Sequence, residues 1–219
     1  SMSIGVGDTI YFSAYCGTHN QRLCNGTELW AYDTSNGTGW LAADIGPSWY
    51  SSNPGNTWGK AHLIGDTIYF PAASEGASNQ NKYDLHAFDT SNQSWWKITN
   101  GTYSSSPITE FSELIGDTLF FAYDDQVSGK ELWAHKPANG STWQVADISP
   151  GGGGSEDPGH RLSHVVDDVL YFSASDGSYV SIWAHNPSNG STWRASNEVQ
   201  PSCQSSSSNE CGSVVVDDV

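Results

Sequence analysis

The chain has 219 residues, a formal net charge of −16 and only eight Lys and Arg, so it lacks the basic footprint that nucleic acid or an anionic membrane surface requires. No apolar run approaches the about 18 residues of a membrane span, which argues against membrane insertion. Ten Trp and ten Tyr stand against a single Met, and 23 Gly punctuate short apolar runs. Rings and β-branched residues between frequent turns predict an all-β chain, and no window carries a sustained helical period.

Read from the N-terminus, one phrase recurs. Gly7-Asp8, Gly65-Asp66, Gly116-Asp117 and Asp167-Asp168 fall in register at offsets of 58, 51 and 51 residues, and Asp217-Asp218 begins a further copy 50 residues on. Self-similarity at this period sets the architecture before any local motif does. Strand A precedes the two-residue turn, at 61–64, 112–115, 163–166 and 213–216. Strand B follows it, at 9–14, 67–72, 118–123 and 169–174, and the Gly-Asp or Asp-Asp link suits a tight hairpin. Strand C covers 28–32, 84–88, 131–135 and 181–185. A turn with Asn36, Asn92, Asn139 or Asn189 then leads to strand D, which carries Trp40, Trp96, Trp143 or Trp193.

Strand B is apolar on both faces, as in Ile10, Tyr11 and Phe12, which places it between stacked sheets. Four-stranded units repeated about every fifty residues predict a single four-bladed β-propeller domain over 1–219, with repeats at about 7–64, 65–115, 116–166 and 167–216. The first copy opens on strand B and the last ends on a spare strand A. Pairing of 213–216 with 9–14 would therefore complete the first blade and close the ring without an open edge. An open, solenoid-like stack is the alternative.

Glu28-Leu29-Trp30, Glu131-Leu132-Trp133 and the degenerate Ser181-Ile182-Trp183, each after an apolar strand, resemble the ELWxxDGT repeat family. The turn, apolar strand and late Trp are also similar to kelch repeats. His86 departs from the pattern, as does Asn-Gly-Thr or Asn-Gly-Ser in place of Asp-Gly-Thr. The resemblance implies propeller-like modules of large extracellular or surface proteins without assigned chemistry, hence a monomer as an isolated domain within a longer protein.

The cysteines form two pairs of equal spacing, Cys16 with Cys24 and Cys203 with Cys211. The surroundings match no zinc template. Two loop-closing disulfides in an extracellular or surface protein are the favoured reading; four free thiols, or cross-pairing among the three possible connectivities, are the alternatives. Ser1-Met2 reads as a cloning remnant, so a native leader could have been removed. Sequons such as Asn25, Asn36, Asn92, Asn100, Asn139 and Asn189 are present. Four of them share one repeat position, where a turn explains them better than glycosylation.

Strand direction sorts the connections. A–B and C–D turns share one end and are short and uniform, whereas B–C and D–A loops share the other and differ from copy to copy. Binding on repeat scaffolds resides in such variable loops. Trp49, Tyr50, Trp58 and Tyr103 lie there and offer flat faces for a glycan, or they fold back as caps. Asp124, Asp125 and Asp176 could supply oxygen ligands to calcium, although no EF-hand spacing is present. His62, Glu113 and His164 share a strand-A position that could ring a metal; hydrogen bonding between blades is the favoured reading.

No nucleophile elbow, phosphate loop or metalloprotease motif occurs. The C–D turn resembles the end of a sialidase Asp-box without its Asp, and Arg22, Arg161 and Arg194 are scattered over the repeats. The expectation is a non-catalytic module that binds a carbohydrate or a surface protein through its long loops. A spacer module without a small ligand and a glycan-acting hydrolase are the alternatives.

Overall fold

A computed structural model describes residues 2–16, 26–46, 51–55, 60–73, 83–100, 111–125, 127–150, 158–178 and 180–196. Sixteen strands form four separate four-stranded antiparallel sheets, and no helix occurs among the described residues. The first contains β1 (Ser3–Val6), β2 (Thr9–Cys16), β3 (Gly26–Asp33) and β4 (Thr38–Ala43). The second contains β5 (His62–Ile64), β6 (Thr67–Ala73), β7 (Tyr83–Asp89) and β8 (Ser94–Lys97). The third is β9 (Ser112–Ile115), β10 (Thr118–Asp124), β11 (Lys130–Lys136) and β12 (Ser141–Ala146). The fourth is β13 (Ser163–Val166), β14 (Val169–Ser175), β15 (Val180–Asn186) and β16 (Ser191–Arg194). Within each sheet the strands lie in chain order, so every blade is a meander.

One expectation is corrected here. The first blade draws its inner strand from the N-terminus, with Ser3 opposite Phe12 and Val6 opposite Thr9. That pairing occupies the free edge of β2, where residues 213–216 were expected to seat. Each blade is therefore contiguous in sequence and begins at strand A. Ser3 stands in register with Ala61, Ser112 and Ser163, and the two-residue turn at Gly7-Asp8 joins β1 to β2 as its counterparts do.

The A–B turns show why the fourth copy is spelled differently. Gly7, Gly65 and Gly116 have φ of 57°, 60° and 60°, while the following Asp is outside the left-handed region. Positive φ at the first central position alone is the sign pattern of a type II′ hairpin turn. In the fourth blade both Asp167 and Asp168 are positive, at 49° and 59°, the sign pattern of type I′.

Among the described residues, three apolar seams join the blades. Tyr11, Leu29 and Ala31 of the first meet Ile68, Phe70 and Phe88 of the second. Tyr69, Leu85 and Ala87 of the second meet Leu119, Phe121 and Tyr123 of the third. Phe120, Leu132 and Ala134 of the third meet Leu170 and Phe172 of the fourth. Strand B alternates its side chains between two such seams, and both β6 and β10 are buried on both faces. The first blade differs on its outer side: Ile10 is 40% exposed where Ile68, Leu119 and Leu170 are 0%. The expectation of two buried faces thus holds for the inner blades and fails for the first. Each strand-D Trp stands opposite a fully buried alanine, as in Trp40 with Ala31 and Trp143 with Ala134. That pairing explains why both residues recur.

Candidate functional site: the long-loop end

At one end of the blades, local hydrogen bonds close the turns. Asp33 Oδ1 accepts from the amide and hydroxyl of Ser35, and Asn36 Nδ2 donates to Asp33 Oδ2 at 2.8 Å. Asn36 Oδ1 in turn accepts from the amide and hydroxyl of Thr38. Asp89, Ser91, Asn92 and Ser94 repeat most of this network, and Asn139 and Asn189 each hold the Ser two residues on. These donors hold the Asp33 and Asp89 carboxyls below the usual range, with the Ser35 and Ser91 hydroxyls foremost. Thr34 and Thr90 donate to the carbonyls of Asp8 and Asp66, which ties the C–D turn to the A–B turn of the same blade. The Asn of the repeated sequon is thus a turn-forming residue, as its position implies.

The opposite end is built on buried carboxylates at the start of strand C. Glu28 is fully buried. Its Oε2 accepts from the amides of Ile45 at 2.9 Å and Gly46 at 3.2 Å and from Ser52 Oγ at 2.6 Å, while Oε1 accepts from the Ser52 amide at 3.0 Å. One side chain therefore holds both ends of the stretch that contains Trp49 and Tyr50. Burial pushes Glu28 above the usual carboxyl range, and the Ser52, Ile45 and Gly46 hydrogen bonds pull it back in part. Glu131 holds the start of the corresponding loop in the third blade, accepting from the amides of Ile148 and Ser149 at 2.7 and 3.1 Å, and burial raises it also.

The second and fourth blades solve the same problem with other residues. Asp84, shorter by one methylene, accepts from Thr99 Oγ1 at 3.0 Å, and that hydroxyl accepts from the Leu85 amide at 2.9 Å. Lys97 Nζ lies 3.6 Å from the second Asp84 oxygen. In the fourth blade Ser181 replaces the carboxylate, and Arg194 donates to its hydroxyl through Nε at 2.9 Å and also through Nη2. Arg194 Nη1 reaches Asp176 at 3.4 Å.

The loops also meet each other in the first blade. Ser51 Oγ accepts from the Thr27 amide at 2.9 Å, and the Asn53 amide donates to the Thr27 carbonyl. A Cβ on Gly26 would stand 2.6 Å from Ser51 Oγ, and the glycine has φ of +96°, so only glycine fits where these two loop bases cross. Cys16, at the other end of that B–C loop, is disulfide-bonded. Cys24, Cys203 and Cys211 lie outside the described residues, and so do Trp49, Tyr50, Trp58 and Tyr103.

Two of the candidate calcium ligands are engaged by protein groups. Asp125 Oδ1 accepts from the amides of Val127 and Ser128, an Asx-type turn within its own loop. Asp176 Oδ1 accepts from the Ser178 amide while Oδ2 faces Arg194. Asp124 ends β10 opposite Lys130. No group of three His, Cys, Asp or Glu able to hold a metal occurs among the described residues.

The strand-A triad is divided as well. His62 Nε2 lies 2.9 Å from Ser112 Oγ, and Ser163 Oγ donates to Glu113 Oε1 at 3.0 Å. Each side chain reaches the Ser that opens the next blade. This is the expected bonding between blades; His164 stands exposed.

The clamps on the loop bases are what reading the sequence missed. The repeated Glu was visible, but its partners sit 17 to 24 residues away in loops that do not repeat.

Among solved structures, the chain is similar to a puromycin hydrolase mutant complexed with PGG, with a TM-score of 0.52 and 11% identity over 86% of this chain and 27% of the hydrolase. The fold is that of a β-propeller. TolB from Acinetobacter baumannii also matches, with a TM-score of 0.49 and 13% identity over 84% of this chain and 40% of TolB. So does a TolB candidate from Agrobacterium tumefaciens, at 0.48 and 13% over 86% and 61%. The chain thus spans less than two thirds of each of these proteins. No family model and no curated protein matches the chain, so the resemblance to ELWxxDGT and kelch repeats stands on the quoted residues alone.

Proposed function

We propose that the chain is a non-catalytic extracellular binding module that presents its long-loop end to a carbohydrate or to a surface protein. The observation that carries this reading is the contrast between the two ends of the blades. One end is sealed by nearly identical hydrogen-bonded turns. The other holds loops of unequal sequence on buried clamps, and the Glu28 clamp grips both sides of the stretch bearing Trp49 and Tyr50. Rings carried on a braced base suit sugar faces, because a preorganised site loses less conformational freedom on binding. The oxidised state of Cys16 supports an extracellular setting.

The test is a glycan array on the purified protein, with and without added calcium, followed by Trp49→Ala, Tyr50→Ala, Trp58→Ala and Tyr103→Ala. A glycan signal that falls at least tenfold in two of these variants, with the fold intact by near-UV circular dichroism, is expected. Absence of any signal in both calcium conditions would leave the spacer reading in its place, and polysaccharide turnover by the wild-type protein would overturn the non-catalytic reading.

A further inference from the structure

The inner strands follow a pairing rule. The second residue of strand A in one blade meets the first residue of strand A in the next. His62 meets Ser112, with Nε2 2.9 Å from Oγ, and Glu113 meets Ser163 at 3.0 Å. At the first seam both positions are apolar, and Ile4 and Ala61 pack into the cluster that joins those blades. A polar residue thus precedes a Ser and an apolar residue precedes an Ala.

The fourth blade has the leading half of such a pair and no described partner for it. His164 occupies the position of His62 and Glu113 and is exposed, and Val165 and Val166 beside it are 39% and 53% exposed. The sequence supplies the matching half. Residues 213–218 read Ser-Val-Val-Val-Asp-Asp, against Ser-His-Val-Val-Asp-Asp at 163–168. The connection has the right length too. Strand D ends at Ala43, Lys97 and Ala146, and the register positions that open the next strand A are Ala61, Ser112 and Ser163, which leaves 17, 14 and 16 intervening residues. From Arg194 to Ser213 there are 18, and each of the observed connections steps one blade over.

We propose that residues 213–216 seat beside β13 as the inner strand of a fifth blade, with Ser213 meeting His164. The edge of β2, the other place for this strand, is already filled by β1. The outer face of the fourth blade is therefore a docking surface whose occupant is this segment.

A double-mutant cycle on the full chain tests the pairing. Ser213→Ala and His164→Ile each lower the melting temperature, and the double variant, which recreates the Ile4–Ala61 combination, recovers it. Additive losses would overturn the proposal. Amide exchange and chemical-shift mapping provide the second readout. Amides of 213–216 exchange as slowly as those of 163–166, and Ser213→Ala shifts the His164 ring resonances while those of His62 stay in place. Unprotected amides, or shifts centred on Ile4 and Tyr11, would refute it.

Discussion

Replacing Glu28 with Ala removes the acceptor for three buried backbone amides and one hydroxyl at a stroke. An amide left buried without a partner costs about 1–3 kcal/mol, so three would cost roughly 3–9 kcal/mol in a rigid site. Water admitted into the space of the lost side chain recovers part of this, which leaves about 3–5 kcal/mol. At about 2–4 °C per kcal/mol for a chain of this size, the melting temperature should fall by roughly 10 °C. Glu28→Gln should cost less than Glu28→Ala, because the amide oxygen still accepts on one side of the group while only its NH2 faces a donor on the other. Differential scanning calorimetry of wild type, Glu28→Ala and Glu28→Gln checks this order. A Glu28→Ala protein that melts within 2 °C or so of wild type would show that the carboxylate does not carry the loop base, and the account of the long-loop end would fail with it.

His86 is buried and its pKa is lowered from 6.5 to about 4 by desolvation, so the unfolded chain binds a proton between those values and the folded chain does not. Stability is then full above pH about 6.5 and falls as the pH drops toward 4, by roughly 3 kcal/mol at about 1.4 kcal/mol per unit. Glu28 and Glu131 act in the opposite sense, since a raised carboxyl pKa favours the fold at low pH, so acid unfolding should weaken in His86→Gln. Urea titrations at pH 7 and pH 4.5 would show this; an unchanged pH slope in the variant would count against it. In the fourth hairpin turn, Asp168→Gly relieves a left-handed φ of 59° and should raise stability by about 0.5–1 kcal/mol in the same assay, whereas a loss would mean that the Asp side chain is needed there.

The repeat made most of the fold legible. Where the described residues cover them, the expected strands A, B and C agree with the observed ones to within two residues at either end, because the Gly-Asp turns recur at constant spacing; the expected strand at 213–216 lies outside the described residues. What escaped notice was β1, four residues long with Gly5 near its centre. Its register with Ser112 and Ser163 was the available signal. The clamps escaped for a different reason: a buried Glu and a surface Glu look alike in sequence, and only the backbone path of a non-repeating loop tells them apart. Trp49, Tyr50, Trp58 and Tyr103 lie outside the described residues.

The inner-strand pairs also govern which blades can be cut out. Excising residues 112–162, the third blade, would bring His62 against Ser163, the same His–Ser combination it makes with Ser112. Excising 61–111 would instead set Ile4 against Ser112 and leave a hydroxyl facing an aliphatic side chain. Blades that look interchangeable by their Trp and Gly-Asp landmarks are therefore keyed to their neighbours, and a deletion that preserves an inner-strand pair should cost less stability than one that breaks it.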